Sequence, residues 1–478
     1  MANTGTRHKL KRSLGMTDVL ALAFGTMIGW GWIMLAGKWV TDSGVFGAIL
    51  AFAVGAVLCI FVGLTYAELT PALPLAGGEV VFAYRAMGYN ASMITGWMIA
   101  FAYLGVAAWE GPALATALGF LFGDHLPAGF VLWKVAGFDV TTTFVLIGSL
   151  GALLLAYVNY KGAKSSAIFQ TVATIAMALG GVAFLVAGVV KGDVANMVPV
   201  FTNGQGFVAV LLMVPAMFVG FDVIPQAAEE MNLPLNKIAT ILILSICMAA
   251  AWYILMILSV ALAAPEATRE GFTNVPVAEA FAWVMHNPIF SKLMIVAAMC
   301  GILTSWNGFL VGATRVLFSM GRAKLIPDVF AKVHPQYHSP VAAIVLVAII
   351  TAASPLLGKG ALVWFVDASA FGTVVAYFMV ACSFLILRSK EPELERPFKV
   401  KAGRLVGVLA IGVAFFFLYL YLPLGSPSPL TEIEWSLVGG WVLIGVILYI
   451  VQSIDNRKKG VTLEEIEYQM FGSKYKRF

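Results

Sequence analysis

The chain has 478 residues, of which 60% are hydrophobic and 12% are charged, and its formal net charge is +5. This composition excludes a soluble globular protein of this length. It also excludes a β-barrel, because the apolar residues form long runs and do not alternate with polar ones. The sequence therefore predicts an all-α polytopic membrane protein, and the positive charge is explained by membrane topology rather than by nucleic-acid binding.

Long apolar runs predict the membrane-spanning segments. The first of them follows a basic segment, but it is too long for a signal peptide and no small-residue cleavage site closes it. Counting runs of about 18 residues or more gives twelve transmembrane helices. The predicted helices cover approximately 17–40, 45–70, 91–121, 140–158, 165–190, 206–227, 238–264, 291–319, 340–357, 361–387, 405–424 and 435–454.

The distribution of basic residues predicts the orientation of the chain. With the amino terminus inside, 24 of the 30 Lys and Arg residues fall on the cytoplasmic side of the twelve-helix topology. This asymmetry follows the positive-inside rule, so both termini are expected in the cytoplasm. No catalytic motif or phosphate-binding loop is present, so an enzyme is not expected.

Two of the predicted helices are interrupted. The first contains GTMIGWGW, with three glycines from Gly25 to Gly31, and each glycine costs about 1 kcal/mol in a helix interior. The sixth contains PAMFVGFDVIPQ, which Pro215, Gly220 and Pro225 interrupt. Close packing of another helix is the alternative explanation of the glycines. Two interruptions five helices apart are typical of a 5+5 inverted repeat, whose facing breaks bind the substrate at the bilayer midplane.

This organisation divides the chain into five regions. The broken helices 1 and 6 each open one repeat of five helices, and two extra helices follow the second repeat. Freed amides at the breaks favour an anion and freed carbonyls favour a cation, so a small zwitterion suits the site. The predicted regions are a cytoplasmic tail 1–16, a first repeat 17–200, a second repeat 201–390, the last two helices within 391–455, and a cytoplasmic tail 456–478.

Five segments, in the same order, resemble motifs of the amino acid/polyamine/organocation (APC) superfamily of transporters, which is built on the leucine-transporter fold. The resemblance extends over most of the chain. The segments are GTMIGWG in the first helix, PLAGGEVVFAYRAMG (Pro74–Gly88), GFDVIPQAAEEMNLP (Gly220–Pro234), RVLFSMGRAKLIP (Arg315–Pro327) and LRSKEPELERPFKV (Leu387–Val400).

The resemblance implies a set of substrate contacts. It places the substrate carboxylate on the backbone amides of Trp30 and Gly31, and the ammonium on the carbonyls of Met27, Ala216 and Val219. Relatives usually carry a small hydroxyl residue in place of Trp30 and often a gating aromatic in place of Ala216. Side-chain selectivity and gating are therefore expected to differ here.

Other positions are candidates for the wall and gate of the pocket. Ala107 and Ala216 are small residues that would leave room for a bulky substrate. Phe218, Phe221 and Phe309 are the candidate gate aromatics. The alternative for each phenylalanine is an ordinary lipid-facing or core side chain, in a chain that contains 33 of them.

The resemblance also bears on the coupling ion. Proton-coupled relatives carry a lysine within helix five, where this chain has Met177. Sodium-coupled relatives hold Na⁺ between backbone carbonyls and a pair of hydroxyls on helix eight, and hard oxygen ligands suit this cation. The corresponding residues here are the carbonyls of Gly25, Ile28 and Gly301 and the hydroxyls of Thr304 and Ser305. The alternative is that the two hydroxyls bond back to carbonyls one turn earlier.

Glu110 is an ionisable residue inside the third predicted helix, which makes it a candidate functional residue. It either binds a proton or attracts a cationic part of the substrate. The alternative is a carboxylate that bonds to a neighbouring hydroxyl or to water outside the pathway. Asp222, beside the second break, is expected to have a structural role.

Charged residues near the cytoplasmic helix ends are candidates for a gate. Glu229 and Glu230 follow the sixth predicted helix, and Arg85 precedes the third. These residues are expected either to form ion pairs that open and close with the repeat motion or to be solvated loop charges.

Together these observations predict a secondary active transporter that imports an amino acid or related amine across the plasma (cell inner) membrane by alternating access, with Na⁺ as the coupling ion. The alternatives are a proton-coupled symporter, an obligate amino acid exchanger and a non-transporting membrane nutrient sensor. The expected partners are the small-molecule substrate and the lipid bilayer. No nucleic acid, required protein partner or cofactor other than Na⁺ is expected.

Overall fold

The computed structural model describes residues 10–127, 129–272 and 274–472. The outer parts of the two predicted tails, 1–9 and 473–478, lie outside the described residues. The described residues are mainly helical, so the prediction of an all-α polytopic membrane protein is confirmed. From the amino terminus the helices are α1 (Met16–Met27), α2 (Gly31–Ser43), α3 (Val45–Ala72), α4 (Gly78–Met87), α5 (Tyr89–Phe122), α6 (Thr142–Tyr160), α7 (Ala163–Lys191), α8 (Gly204–Met217) and α9 (Val223–Gln226).

The second half of the chain continues in the same way. From Leu235 onward the helices are α10 (Leu235–Ala263), α11 (Glu266–Arg269), α12 (Pro276–Met285), α13 (Ile289–Arg322), α14 (Val341–Ala353), α15 (Gly358–Lys390), α16 (Gly403–Tyr421), α17 (Glu432–Lys459) and α18 (Leu463–Phe471). Short 3-10 turns occur at Gly123–His125, Val194–Asn196, Ala228–Glu230, Asp328–Ala331 and Ser354–Leu357. Two antiparallel strands, β1 (Val131–Val135) and β2 (Phe138–Thr141), form a hairpin between α5 and α6.

Within the described ranges, nine helices are long and apolar enough to cross a membrane, and ten if the bent pair α1 and α2 is one span. This count takes 341–390 as one stretch, although the 3-10 turn Ser354–Leu357 and the positive φ of Gly358, 67°, separate α14 from α15. The twelve-helix count stays a prediction. Exposed apolar stripes show which surfaces face lipid: on α7, Val172, Leu179 and Val186 recur every seven residues and are more than half exposed.

Local sequence signals explain several helix ends. The Asn203 side chain accepts a hydrogen bond from Gly206 N at 2.8 Å and begins α8. Thr431 and Glu434 form a reciprocal capping box at the start of α17. Both interruptions expected from the sequence are present. α1 and α2 are bent by 52° around residues 28–30, and residues 218–222 separate α8 from α9.

The packing places both breaks at the centre of the bundle. α1 contacts α7, α10 and α13, and α2 contacts α8, α10 and α12. α5 lies between α13 and α15 and is buried along most of its length. Both ends of the described chain lie at one end of the bundle, here called the terminal end. There the amides of Ser13 and Leu14 donate to the Glu230 carbonyl, and Phe471 of α18 packs on Tyr84.

Candidate functional site

A cavity of about 530 Å³ lies between the two breaks. Its wall is built from the first break, the second break, and single faces of α5, α10, α13 and α15. Six of the predicted substrate-binding residues line it: Met27, Trp30, Gly31, Glu110, Ala216 and Val219. The structure therefore brings together residues that are up to about 190 positions apart in the sequence.

Ala107 is the exception among the predicted substrate-binding residues. It is fully buried and does not line the cavity. On α5 the cavity is lined instead by Val106, Trp109, Glu110 and Ala113. These positions share one helical face, whereas Ala107 points away from it. Ala107 and Val106 are both about one helical turn before Glu110, so spacing from Glu110 alone could not distinguish them.

Only one of the three candidate gate aromatics borders the cavity. Phe309 lines it, and its ring centroid lies 5.7 Å from that of Tyr103, a residue outside the cavity lining. Phe218 packs on Tyr253 with ring centroids 5.9 Å apart. Phe221 packs between two buried tyrosines. Phe218 and Phe221 are therefore core side chains in this arrangement, as the alternative interpretation stated.

The first break exposes backbone groups of opposite polarity to the cavity. α2 begins at Gly31 with Trp30 as its N-cap residue, and no side chain caps it. Amides of a first helical turn have no intrahelical partner and carry the positive end of the helix dipole. α1 ends at Met27, where carbonyl groups are left without helical amides. An anion at the start of α2 and a cation at the end of α1 are therefore both favoured.

Tyr253 is a cavity residue that the sequence did not identify. Its hydroxyl donates to the carbonyl of Met27 at 2.9 Å and to that of Met217 at 3.0 Å. These are the last residues of α1 and α8, so one hydroxyl joins both breaks. The ring stacks on Phe52 at 5.0 Å. A tyrosine within an apolar helix was the available signal, because a buried tyrosine hydroxyl usually finds a partner.

We expect Tyr253→Phe to raise the substrate concentration for half-maximal uptake about threefold to tenfold, because the joined carbonyls lose a hydrogen bond worth about 0.5–1.5 kcal/mol. The ring packing stays intact. The matched control is Tyr449→Phe, which removes a hydroxyl bonded to Asn90 at an exposed position. Concentration-dependent uptake into proteoliposomes measures both variants. Equal values for the two would show that the Tyr253 hydroxyl does not position the breaks.

Glu110 is buried beside the first break. It is 2% exposed, and a Cβ atom at Gly29 would lie 3.2 Å from its Oε1 and 3.1 Å from the Ser305 hydroxyl oxygen. The Ser305 hydroxyl faces the carboxylate beside Gly29. Its Oε2 has no hydrogen-bond partner among the described residues. A carboxylate with one free oxygen at the cavity wall can receive a cation or a proton.

The residues implied for a sodium site also converge. A Cβ atom at Gly301 would be 2.9 Å from the Ile28 carbonyl oxygen, and one at Gly25 would be 3.0 Å from Thr304 Cβ. Thr304 Oγ1 donates to the Gly301 carbonyl at 2.9 Å. Three of the five implied groups are backbone carbonyls and two are hydroxyls. This donor set consists of hard oxygens and fits a hard monovalent cation.

Two further contacts describe this cluster. The Thr304 hydroxyl bonds back within its own helix, as the alternative interpretation expected, but its oxygen keeps lone pairs that can bind a cation. The sulfur of Met177 would be 3.1 Å from a Cβ atom at Gly301. Met177 occupies the helix-five position that holds a lysine in proton-coupled relatives. It therefore presents an uncharged thioether group to the same cluster.

Buried ion pairs close the bundle at the terminal end. Glu230 and Arg315 form a bidentate pair at 2.9 and 3.0 Å, and both side chains are almost fully buried. Glu229 pairs with Arg322 at 2.8 Å. The interpretation of the two glutamates as solvated loop charges is therefore wrong. Arg85 pairs with Glu391 at 2.8 Å, just after the end of α15.

Comparison with known proteins identifies what this architecture is similar to. The model of the family described as amino acid permease matches residues 14–449. The branched-chain amino acid permease BcaP of Bacillus subtilis (strain 168) is 29% identical over 96% of each chain. The methylthioribose transporter of the same organism is 25% identical over 93% of this chain and 94% of its own length. Its serine/threonine exchanger SteT is 26% identical over 86% and 91%.

Proposed function

Since the chain belongs to the amino acid permease family, and is therefore a multi-pass membrane transporter and not an enzyme, we propose that it imports an amino acid or related amine across the plasma membrane by alternating access. The observation that carries this proposal is the cavity bounded by both helix breaks. The similarity to a branched-chain amino acid permease and to a serine/threonine exchanger supports the substrate class.

The substrate is proposed to bind through the backbone at the breaks. Its carboxylate accepts hydrogen bonds from the amides of Trp30 and Gly31 at the start of α2. Its ammonium donates to the carbonyls of Met27, Ala216 and Val219. All five residues line the cavity. The geometry supports this arrangement because the amides that begin α2 and the carbonyl of Met27 lie on opposite sides of the first break, while Ala216 and Val219 line the cavity from the second.

The transport cycle is proposed to open the two ends of the bundle in turn. The ion pairs of Glu229 and Glu230 close the terminal end of the bundle. The parts of α5 and α15 that line the cavity lie towards the opposite end. The basic-residue asymmetry supports a cytoplasmic location for the terminal end. All four residues of these ion pairs belong to the second predicted repeat, 201–390, so opening the terminal end to the cytoplasm would require α13 to move away from the Ala228–Glu230 turn within that repeat.

Sodium is proposed as the coupling ion. The carbonyls of Gly25, Ile28 and Gly301 and the hydroxyls of Thr304 and Ser305 would hold it, and its charge would favour the arrangement in which α1 rests against α13. Ser305 links this cluster to Glu110. A proton on Glu110 is the rival means of coupling. Exchange without an ion is a third possibility, suggested by the similarity to an exchanger.

Uptake of labelled amino acids into proteoliposomes tests the proposal. With an inward sodium gradient we expect uptake at least tenfold above that with an equal potassium gradient at the same pH, and Thr304→Val is expected to abolish the difference. Thr351→Val is the matched control, because this buried hydroxyl also bonds back within its helix but does not line the cavity.

Other results would identify the alternatives. Uptake that ignores sodium, follows an acid exterior and is lost in Glu110→Gln would move the coupling to a proton on α5. Counterflow without any ion gradient would indicate an obligate exchanger. Saturable binding without uptake under every gradient would overturn transport and favour a nutrient sensor.

A further inference from the structure

Glu79, in the first turn of α4, is a buried carboxylate that does not line the cavity. It also lies outside the ion-pair layer, the name used here for the buried pairs Glu230–Arg315 and Glu229–Arg322. It is 0% exposed. No described Lys or Arg side chain forms an ion pair with it. The Gln226 amide nitrogen donates to Glu79 Oε2 from α9, and the hydroxyl of Tyr66 faces the carboxylate from α3. An unpaired carboxylate in such surroundings is costly while it is ionised.

A second buried carboxylate lies close by and is better satisfied. Asp222 accepts hydrogen bonds from the Tyr103 hydroxyl at 2.7 Å and from the Gly220 amide at 2.8 Å. The hydroxyl of Tyr377 faces it from α15. Hydrogen bonds to a carboxylate favour its ionised form. Asp222 therefore accepts more hydrogen bonds that favour its ionised form than Glu79 does.

Electrostatics place the proton on the other member. Burial raises the pKa of Glu79 well above its ordinary value of 4.5, and the negative charge of Asp222 raises it further. The remaining titratable groups that face the pair, Tyr66, Tyr103 and Tyr377, are neutral phenols. No cation opposes these effects among the residues that the structure describes.

The site lies where α4 rests directly on the segment that follows the second break. The Gly77 amide donates to the Gln226 carbonyl at 3.3 Å. A Cβ atom at Gly78 would be only 2.5 Å from Pro225 Cβ, so glycine is required for this approach. The Ala76 amide donates to Glu229 of the ion-pair layer. Glu79 therefore lies beside the segment that connects the second break, at the cavity, to the ion pairs that close the terminal end.

We propose that Glu79 is a proton-binding site whose protonated carboxyl fastens α4 to α9 while the terminal end is closed. The proton comes from water and adds one O–H bond to Glu79. That group can donate to Gln226 Oε1, a buried acceptor without a hydrogen-bond partner in the described part of the chain. When α4 and α9 separate, water reaches the carboxyl, which ionises and returns the proton. This site does not depend on the identity of the transported solute.

Infrared spectroscopy of the purified full-length protein tests this site directly. At neutral pH the difference spectrum between wild type and Glu79→Gln is expected to contain a protonated-carboxyl band. Glu266→Gln, which removes an exposed carboxylate, is the control and should remove only ionised-carboxylate bands. Only ionised-carboxylate bands in the Glu79→Gln difference would overturn the proposal. In Asp222→Asn, where the neighbouring charge is absent, the band should disappear at a lower pH than in wild type.

The pH dependence of unfolding provides a second readout that is independent of transport. A raised pKa in the folded state means that stability is fully present below the unfolded value, near 4.5, and is lost as pH rises towards the folded value. Gln cannot ionise, so wild type and Glu79→Gln should differ least at acidic pH. The melting temperature of wild type should then fall progressively below that of the variant. A difference independent of pH would contradict a proton on Glu79.

Discussion

Arg315→Ala is expected to lower the free energy of unfolding by about 3–5 kcal/mol, because it leaves Glu230 buried without its cation. Arg315 is 1% exposed and Glu230 is 2% exposed, so water cannot replace the lost partner. The main chain of Glu230 also accepts hydrogen bonds from Ser13 and Leu14. Loss of the ion pair should therefore also loosen the segment before α1. Thermal or denaturant unfolding of the purified protein measures the effect.

Two comparisons isolate the buried charge as the cause. The double variant Arg315→Met with Glu230→Gln removes both charges and should recover most of the lost stability, since buried ion pairs are often replaceable by neutral groups. Lys38→Ala breaks an ion pair with Asp42 in which the lysine side chain is 55% exposed. It should cost no more than about 1 kcal/mol. Similar losses for Arg315→Ala and Lys38→Ala would contradict the burial argument.

Gly220→Ala is expected to reduce uptake at least about tenfold, because the two breaks touch at this residue. Gly220 has a φ of 132°, which L side chains rarely adopt. An added Cβ atom would lie 2.9 Å from the Met27 amide nitrogen and 3.0 Å from the Thr26 carbonyl carbon. These are backbone atoms of the first break and cannot rotate away. Strain of about 1–3 kcal/mol would displace the carbonyls proposed to bind the ammonium.

The same substitution elsewhere separates this effect from a general effect of alanine. At Gly412, within α16, an added Cβ atom meets nothing within 4 Å. Gly412→Ala should leave uptake unchanged and stabilise the protein by about 0.5–1 kcal/mol through helix propensity. Melting temperatures of both variants give a readout independent of transport. If Gly220→Ala behaves like Gly412→Ala in uptake and in melting, the contact between the breaks has no role in transport.

Features that depend on a single segment could be predicted well from the sequence. Glycines in the first predicted helix and prolines in the sixth locate the two breaks, which the structure places at residues 28–30 and 218–222. Long apolar runs indicate the membrane-spanning class, because each crossing needs its own stretch of about 20 apolar residues. The boundaries of helices joined by short turns were less certain, as at 354–357, where a 3-10 turn takes the place of the predicted last turn of the ninth span.

Contacts between distant segments could not be predicted in the same way. Arg85 pairs with Glu391, 306 positions away. Tyr253 joins the carbonyls of Met27 and Met217. Both choices depend on which helix faces meet, and apolar helices without a polar stripe carry little information about their facing sides.

The sequence by itself determined the membrane-spanning class, the family and the two interruptions that define the site, because hydrophobic length and helix-breaking residues act locally. Only the tertiary structure decided which side chains surround those interruptions. In the folded chain Val106, and not Ala107, lines the cavity. Glu229 and Glu230 are buried in ion pairs with arginines of α13, and Glu79 lies beside Asp222. The physical reason is that burial, charge pairing and shared protons arise between elements, and they exist only once the helices have packed.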